Sequence, residues 1–73
     1  MGAMVIVSSV IVEQLDLGHM WFIRENHTDN IGKVHEWIYH PGKSVDLNAK
    51  LAEHATAVND RLVAQEIEVI LNG

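Results

Sequence analysis

The absence of cysteine from a chain of only 73 residues is the strongest constraint on its fold. A chain this short buries about 60% of the surface that its unfolded form exposes, so one hydrophobic core gives marginal stability. Small proteins usually compensate with disulfides, a metal or oligomerisation. Disulfides and thiolate zinc sites both require cysteine. We therefore expect a single small domain over residues 1–73 that oligomerises or docks on a partner.

Charge and hydropathy argue against binding to nucleic acid or to membranes. Ten acidic and five basic residues give a net charge of −5, and the basic residues form no patch. Binding to nucleic acid or to a membrane surface is therefore disfavoured. The apolar stretch over residues 4–12 is too short to cross a bilayer. A signal peptide would need a basic residue near its start, but none precedes Arg24. Residues 1–3 are either a cloning scar or the natural start.

Three segments have the composition of β-strands, at about residues 4–13, 20–26 and 33–40. The first is rich in β-branched residues and apolar on both faces, which is typical of a strand covered on both sides. The turn formers Asp16-Leu17-Gly18 end it. The segment 27–32 (His-Thr-Asp-Asn-Ile-Gly) separates the second and third strands and predicts a β-hairpin.

The register of this hairpin decides which aromatic side chains share a face. A symmetric loop would place Phe22 opposite Trp37, Met20 opposite Tyr39 and Arg24 opposite His35. The other face would then hold Trp21, Ile23, Val34 and Ile38, with Glu25 and Glu36 towards the hairpin tip. Because a shift of one residue exchanges the two faces, this register is provisional.

A helix is predicted from about residue 46 to 71, after Pro41-Gly42 ends the sheet and Ser44 or Asp46 supplies an N-cap. Its apolar seam consists of Leu51, Ala55, Val58, Leu62 and Val69 at heptad spacing, with Gln65 as the polar member. The expected fold is α+β: a three-stranded antiparallel sheet followed by one long C-terminal helix. Residues 66–71 alternate in polarity over their first four positions, so a final strand there is the alternative.

The predicted helix is longer than the sheet on which it packs. Its length is about 37 Å, whereas a strand of seven residues covers about 23 Å. One end of the helix would therefore extend past the sheet, and its apolar side chains would be exposed unless another chain covered them.

Five histidines suggest a metal site, but their spacing does not support one. His35 and His40 point to opposite faces of a regular strand, and no pair has the helical i, i+4 spacing of two-histidine sites. His27 and Asp29 could approach a metal at the hairpin tip, whereas His54 has no such partner. We expect surface and hairpin histidines, and no metal.

No catalytic residue or cofactor is predicted either. Ser8 and Ser9 lie in an apolar strand without a histidine nearby in sequence, and no nucleophile elbow is present. Gly42-Lys43-Ser44 lacks the preceding glycine that a phosphate-binding loop requires. The chain is therefore expected not to be an enzyme.

The aromatic residues are the best candidates for an interface. Trp21 and Phe22 are adjacent, so they lie on opposite faces of a strand, and one helix covers only one face. Tryptophan and tyrosine are favoured at the centres of interfaces. The predicted interface residues are Trp21, Phe22, Trp37, Tyr39, Leu62, Ile67 and Ile70.

The segment from Trp21 to Asp29, followed by Gly32-Lys33-Val34-His35, resembles small uncharacterised proteins encoded among bacteriophage virion genes. The helix with Leu51, Leu62 and Gln65-Glu66-Ile67 is similar as well, so the resemblance covers about residues 8–68. It implies a structural component of the tail, baseplate or neck, but no site residues.

The sequence therefore predicts a non-enzymatic assembly protein that binds itself or other subunits, in a virion assembled in the host cytoplasm. The alternative is a small acidic inhibitor or regulator of a host protein, suggested by the net charge of −5.

Overall fold

A computed structural model describes residues 5–65 in full and residues 66–72 only as the continuing backbone of the helix. Strands β1 (Ile6–Asp16), β2 (Trp21–Asp29) and β3 (Val34–Tyr39) are followed by helix α1 (Leu47–Asn72). The strands form one antiparallel sheet in the order β1-β2-β3. The expected α+β fold is confirmed. The backbone of residues 66–71 continues α1, so the alternative of a final strand there is wrong. The side chains of this segment are not described.

The first turn lies at the predicted Asp16-Leu17-Gly18, but β1 extends beyond its predicted end near residue 13 and continues through Asp16. The chain reverses through a hydrogen bond from Leu17 N to Met20 O, at 3.0 Å, and one from Gly18 N to Asp16 Oδ1, at 2.8 Å. Gly18 has a φ of 98°, which glycine adopts without the steric strain that a Cβ atom causes.

The predicted hairpin register is wrong. Ile23 pairs with Tyr39, Glu25 with Trp37 and His27 with His35, a shift of three residues. The cause is that β2 continues to Asp29, so that only residues 30–33 form the loop. An odd shift exchanges the faces. Trp37 and Tyr39 therefore lie on the same face as Ile23, not on the face of Phe22.

Asp29 closes the hairpin from the end of the strand. Its N–H donates to Lys33 O at 2.9 Å, and its carbonyl accepts from Gly32 N at 3.1 Å. Its carboxylate Oδ1 accepts from Ile31 N at 3.0 Å and from Lys33 N at 2.9 Å. Gly32 has a φ of 87°, the left-handed conformation that completes a short hairpin loop of this kind.

Strand β1 contains two β-bulges, where Val7 and Val12 are additional residues relative to β2. Each bulge reverses the alternation of side chains along the strand. Ser9 and Ile11, between the bulges, pair with His27 and Glu25, whereas Glu13 beyond the second bulge pairs with Arg24. The bulges therefore determine which polar residues of β1 face the helix.

The sheet has an inner face, which α1 covers, and an outer face, which it does not. The inner face includes Ser9, Ile11, Ile23, Glu25, His27, Asp29, His35, Trp37 and Tyr39. The outer face includes Ser8, Val10, Glu13, Leu15, Phe22, Arg24, Asn26, Thr28, Val34, Glu36 and Ile38.

Helix α1 begins with Asp46 as its N-cap, since Asp46 Oδ1 accepts from the N–H groups of Asn48 and Ala49, each at 3.1 Å. Along the described side chains of the helix, His54, Val58 and Leu62 are buried, a spacing of four residues. Val58 and Leu62 belong to the predicted seam, and His54 does not. Together with Ile23, these two residues are the buried hydrophobic side chains of the described chain.

Candidate functional site

The centre of the inner face is polar, which is unusual for the middle of a small domain. Along β2, Ile23, Glu25, His27 and Asp29 alternate inward, and each is 0–1% exposed. Three of these four side chains are ionisable. Buried charged groups are destabilising unless they are hydrogen-bonded and paired. Each of the three should therefore have specific partners.

Glu25 lies at the centre of a hydrogen-bond network that joins two strands to the helix. Its Oε1 is 2.8 Å from His27 Nε2 and 2.9 Å from His54 Nδ1, and its Oε2 is 3.0 Å from the same His54 nitrogen. An ionised carboxylate only accepts, so both imidazoles donate to it. The buried carboxylate thus connects β2 to α1 directly.

His27 extends the network to β1. Ser9 and His27 are direct cross-strand partners, and Ser9 Oγ lies 2.7 Å from His27 Nδ1. Because Nε2 of a neutral His27 donates to Glu25, its Nδ1 is an acceptor, and the Ser9 hydroxyl donates to it. Ser9, His27, Glu25 and His54 therefore form one continuous hydrogen-bonded chain, here called the Ser9–His54 relay.

Two aromatic rings hold His54 in position. The Trp37 ring stacks on the imidazole with centroids 4.1 Å apart and an interplanar angle of 12°. The Tyr39 ring meets the imidazole edge-on, with centroids 4.7 Å apart. These contacts bring β3 into the relay and fix the plane in which His54 Nδ1 donates to Glu25.

The Tyr39 hydroxyl is buried beside the relay but makes no hydrogen bond of acceptable geometry with the described residues. Burial, followed by the negative charge of Glu25, raises the pKa of Tyr39 to about 12. The phenol therefore stays neutral far above neutral pH. A buried hydroxyl without a partner destabilises the folded state.

Asp29 forms a second polar cluster at the end of the same strand. Its Oδ2 is 2.9 Å from His35 Nε2, while Oδ1 accepts the two N–H groups of the hairpin loop. The hydrogen bond from His35, followed by those from Lys33 and Ile31, lowers the pKa of the Asp29 carboxyl below its usual value. This carboxylate is therefore a structural element of the turn.

An open cleft of about 450 Å³ lies between the start of β1 and helix α1. Ser9 lines this cleft and is half-buried, so the relay ends at the cleft wall. Asn59 lines the other side, where its Oδ1 accepts from Ile6 N at 2.9 Å. The remaining lining residues are Val5, Ile6, Val7, Ser8, Ala55 and Thr56.

The predicted interface residues are divided among several places. Trp21 lies near the Lys43 ammonium, which is 4.0 Å from the centre of its ring. Phe22 lies on the outer face, with its ring 5.4 Å from that of His40. Trp37 and Tyr39 enclose His54, and Leu62 is buried within the chain. The other two, Ile67 and Ile70, lie outside the described side chains.

The prediction that the histidines lie at the surface is wrong for His27 and His54, which are 0% and 8% exposed. Ser9 has no histidine nearby in sequence, but the pairing of β1 with β2 places His27 beside it. No periodic signal marks these inward positions, because the intervening Arg24, Asn26 and Thr28 are polar as well. Polar residues near a turn are usually assigned to the loop.

Neither a metal centre nor a membrane span is found in the described part of the chain. No group of three or more histidine, aspartate and glutamate side chains there is arranged to hold a metal ion. Helix α1, as far as it is described, lacks the continuous apolar length that crossing a bilayer requires.

Comparison with known proteins identifies no relative. No family model matches the chain, and no curated protein or solved structure matches it either. The resemblance to phage virion proteins therefore stays a prediction.

The first test of the relay is the substitution Glu25→Gln, which keeps the shape of the side chain and removes its charge. The amide has one oxygen to accept the two imidazole donors, so we expect a loss of about 1–3 kcal/mol in the free energy of unfolding. Urea denaturation measures this loss. The matched control is Glu13→Gln on the outer face, where a half-exposed ion pair with Arg24 should contribute less than about 1 kcal/mol. Equal losses would contradict a special role for Glu25.

The second test concerns Tyr39 and alkaline pH. Its folded pKa of about 12 exceeds the ordinary value of 10.0, so the folded state disfavours the phenolate. The free energy of unfolding is therefore unaffected by this group below pH 10 and falls progressively as the pH rises from 10 towards 12. Tyr39→Phe should remove this part of the pH dependence and leave stability near neutral pH unchanged or slightly higher. Parallel unfolding curves for both proteins across this range would contradict the burial of the hydroxyl.

Proposed function

We propose that this chain is a structural protein that assembles by pairing the outer face of its sheet with a second copy of itself. The observation that carries the proposal is the set of exposed aliphatic side chains that the two edge strands, β1 and β3, place on that face. Val10, Leu15, Val34 and Ile38 are 46–51% exposed. The inner face, in contrast, has Glu25, His27 and Asp29 at its centre. The face that α1 covers thus has charged side chains at its centre, whereas the uncovered face exposes aliphatic ones.

An ion ladder crosses the middle of the outer face. Arg24 Nε lies 3.0 Å from Glu13 Oε1, and Arg24 Nη1 lies 3.2 Å from Glu36 Oε2. The ladder joins all three strands and leaves aliphatic side chains on both sides of it. Interfaces that assemble from folded subunits typically combine apolar area with a few polar groups in this way.

The chain is less compact than a globular domain of its length. Its radius of gyration is 14.4 Å, whereas a compact chain of this length would have about 11 Å. Among the described residues, none forms a second layer on the outer face of the sheet. A copy related by a two-fold axis would supply that layer, with the Val10 and Leu15 side of one chain over the Val34 and Ile38 side of the other.

The setting of this assembly is also a proposal. The resemblance to virion-encoded proteins favours a bacteriophage particle in which such pairs join other subunits. A dimer formed through the outer face would still present the relay and its cleft, since these belong to the inner face.

The test is sedimentation equilibrium over micromolar to millimolar chain concentrations. We expect a reversible dimer for the wild-type chain, and a dissociation constant at least about tenfold weaker for Ile38→Lys. The matched control is Ile31→Lys, which makes the same change at the exposed hairpin loop, where Ile31 is 70% exposed. A monomer at every concentration would contradict the proposal, as would equal weakening by both substitutions.

A further inference from the structure

We propose that Ser9 is an activated nucleophile, with His27 as its general base, and that the cleft between β1 and α1 accepts small neutral carboxylic esters. The proposal is independent of assembly through the outer face, because Ser9 belongs to the inner face. It rests on three observations: the relay behind Ser9, the amide of Asn59 and the chemistry of the cleft lining.

The relay has the connections that nucleophilic catalysis requires. The nucleophile must contact a base, and the base must be oriented by a third group. Ser9 Oγ is 2.7 Å from His27 Nδ1, and His27 Nε2 is 2.8 Å from Glu25 Oε1. The two ring nitrogens exchange the roles that they have in serine proteases, but the order of groups is the same. His54 holds Glu25 from the other side and fixes its direction.

Asn59 is the candidate donor for a developing oxyanion. Its Oδ1 is occupied by Ile6 N, so the remaining hydrogen-bonding group of this cleft-lining side chain is its NH2. That NH2 has no hydrogen-bond partner among the described residues. Asparagine amides stabilise the tetrahedral oxyanion in acyl transfer by donating to it. The bond to Ile6 orients the amide before any substrate arrives.

The lining of the cleft indicates the chemical class of the substrate. Among the described residues that line it, none is charged, and Val5, Ile6, Val7 and Ala55 are apolar. A cleft with this lining favours a neutral acyl group with a short alkyl chain over a charged one. Its volume of about 450 Å³, open to solvent on one side, accommodates a small ester.

The reaction proceeds by acyl transfer in two balanced steps. Ser9 Oγ bonds to the ester carbonyl carbon while its proton passes to His27 Nδ1, and the Asn59 amide donates to the oxyanion. Collapse of the tetrahedral intermediate breaks the bond to the alkoxide, which takes that proton from His27 and leaves as the alcohol. Water then attacks the acyl-Ser9 ester by the same route, releasing the carboxylic acid and restoring Ser9.

Glu25 acts in this scheme as a positioning residue. Its carboxylate holds the His27 ring with Nδ1 towards Ser9 and stabilises the imidazolium that forms during proton transfer. A hydrophobic core of the same volume would often be as stable as this buried network or more so.

The experiment uses the full chain and 4-nitrophenyl acetate as the probe. We expect up to one acetyl group per chain when the reaction is quenched in acid before acyl-Ser9 is hydrolysed, located on Ser9 by peptide mass mapping. The 4-nitrophenolate should be released about 10²-fold faster than from urea-unfolded protein. Ser9→Ala should remove this reaction, whereas Ser44→Ala, at an exposed serine outside the cleft, should leave it unchanged. Acetylation confined to lysines or the N-terminus would overturn the proposal, and this mapping of the wild-type chain decides the matter even if Ser9→Ala fails to fold.

Two further variants separate chemistry from stability. Asn59→Asp keeps the acceptor for Ile6 N but loses the NH2, so acetylation should slow by about 10²-fold with the folded structure retained. The wild-type rate should rise with pH, as expected when a neutral imidazole accepts the serine proton. Glu25→Gln should change this pH profile, because the imidazolium formed during proton transfer loses its stabilising charge. An unchanged profile in Glu25→Gln, or an unchanged rate in Asn59→Asp, would count against the assigned roles.

Discussion

The buried carboxylate of Glu25 is the interaction on which the rest of the structure depends. It accepts hydrogen bonds from an imidazole on its own strand and from one on the helix. Without these partners a charge at the centre of so small a domain would be strongly destabilising. With them it fixes how α1 lies on the sheet, since His54 is simultaneously held between Trp37 and Tyr39. Few apolar side chains are available to do this instead.

The polar centre of the inner face accounts for the distribution of apolar residues elsewhere. Among the described residues, only Ile23, Val58 and Leu62 are buried hydrophobic side chains. Many aliphatic side chains therefore lie on the outer face and in the loops. The same arrangement gives the chain two surfaces of different character. The outer face is suited to pairing with a second sheet, whereas the cleft places a hydrogen-bonded serine at the solvent boundary.

The elements could be predicted from the sequence because their signals are local. β-Branched runs, the Asp46 cap and the heptad seam each depend on neighbouring residues, and the α+β fold followed from them. The register and the site could not be predicted in this way. Contacts between Ser9 and His27, and between Glu25 and His54, join residues 18 and 29 positions apart. They also depend on the bulges at Val7 and Val12, which single-sequence periodicity does not reveal.

The hairpin register shows most clearly why local sequence signals do not determine the pairing of strands. His27, Thr28 and Asp29 have the composition of a loop, yet they extend β2 because His27 and Asp29 find buried partners. Propensity is a weak constraint where tertiary hydrogen bonds compete with it. Three residues of additional strand were enough to exchange the faces of every aromatic residue in β3 relative to β2.

Nitrogen-resolved NMR of the histidine side chains tests the central claim most directly. At a pH high enough to leave the rings neutral, the network requires His27 to carry its proton on Nε2 and His54 to carry its proton on Nδ1. We predict two fixed, opposite tautomers, with ring protons that exchange slowly with water. A mixture of tautomers in fast exchange at either position, as in solvent-exposed histidine, would contradict the Ser9–His54 relay.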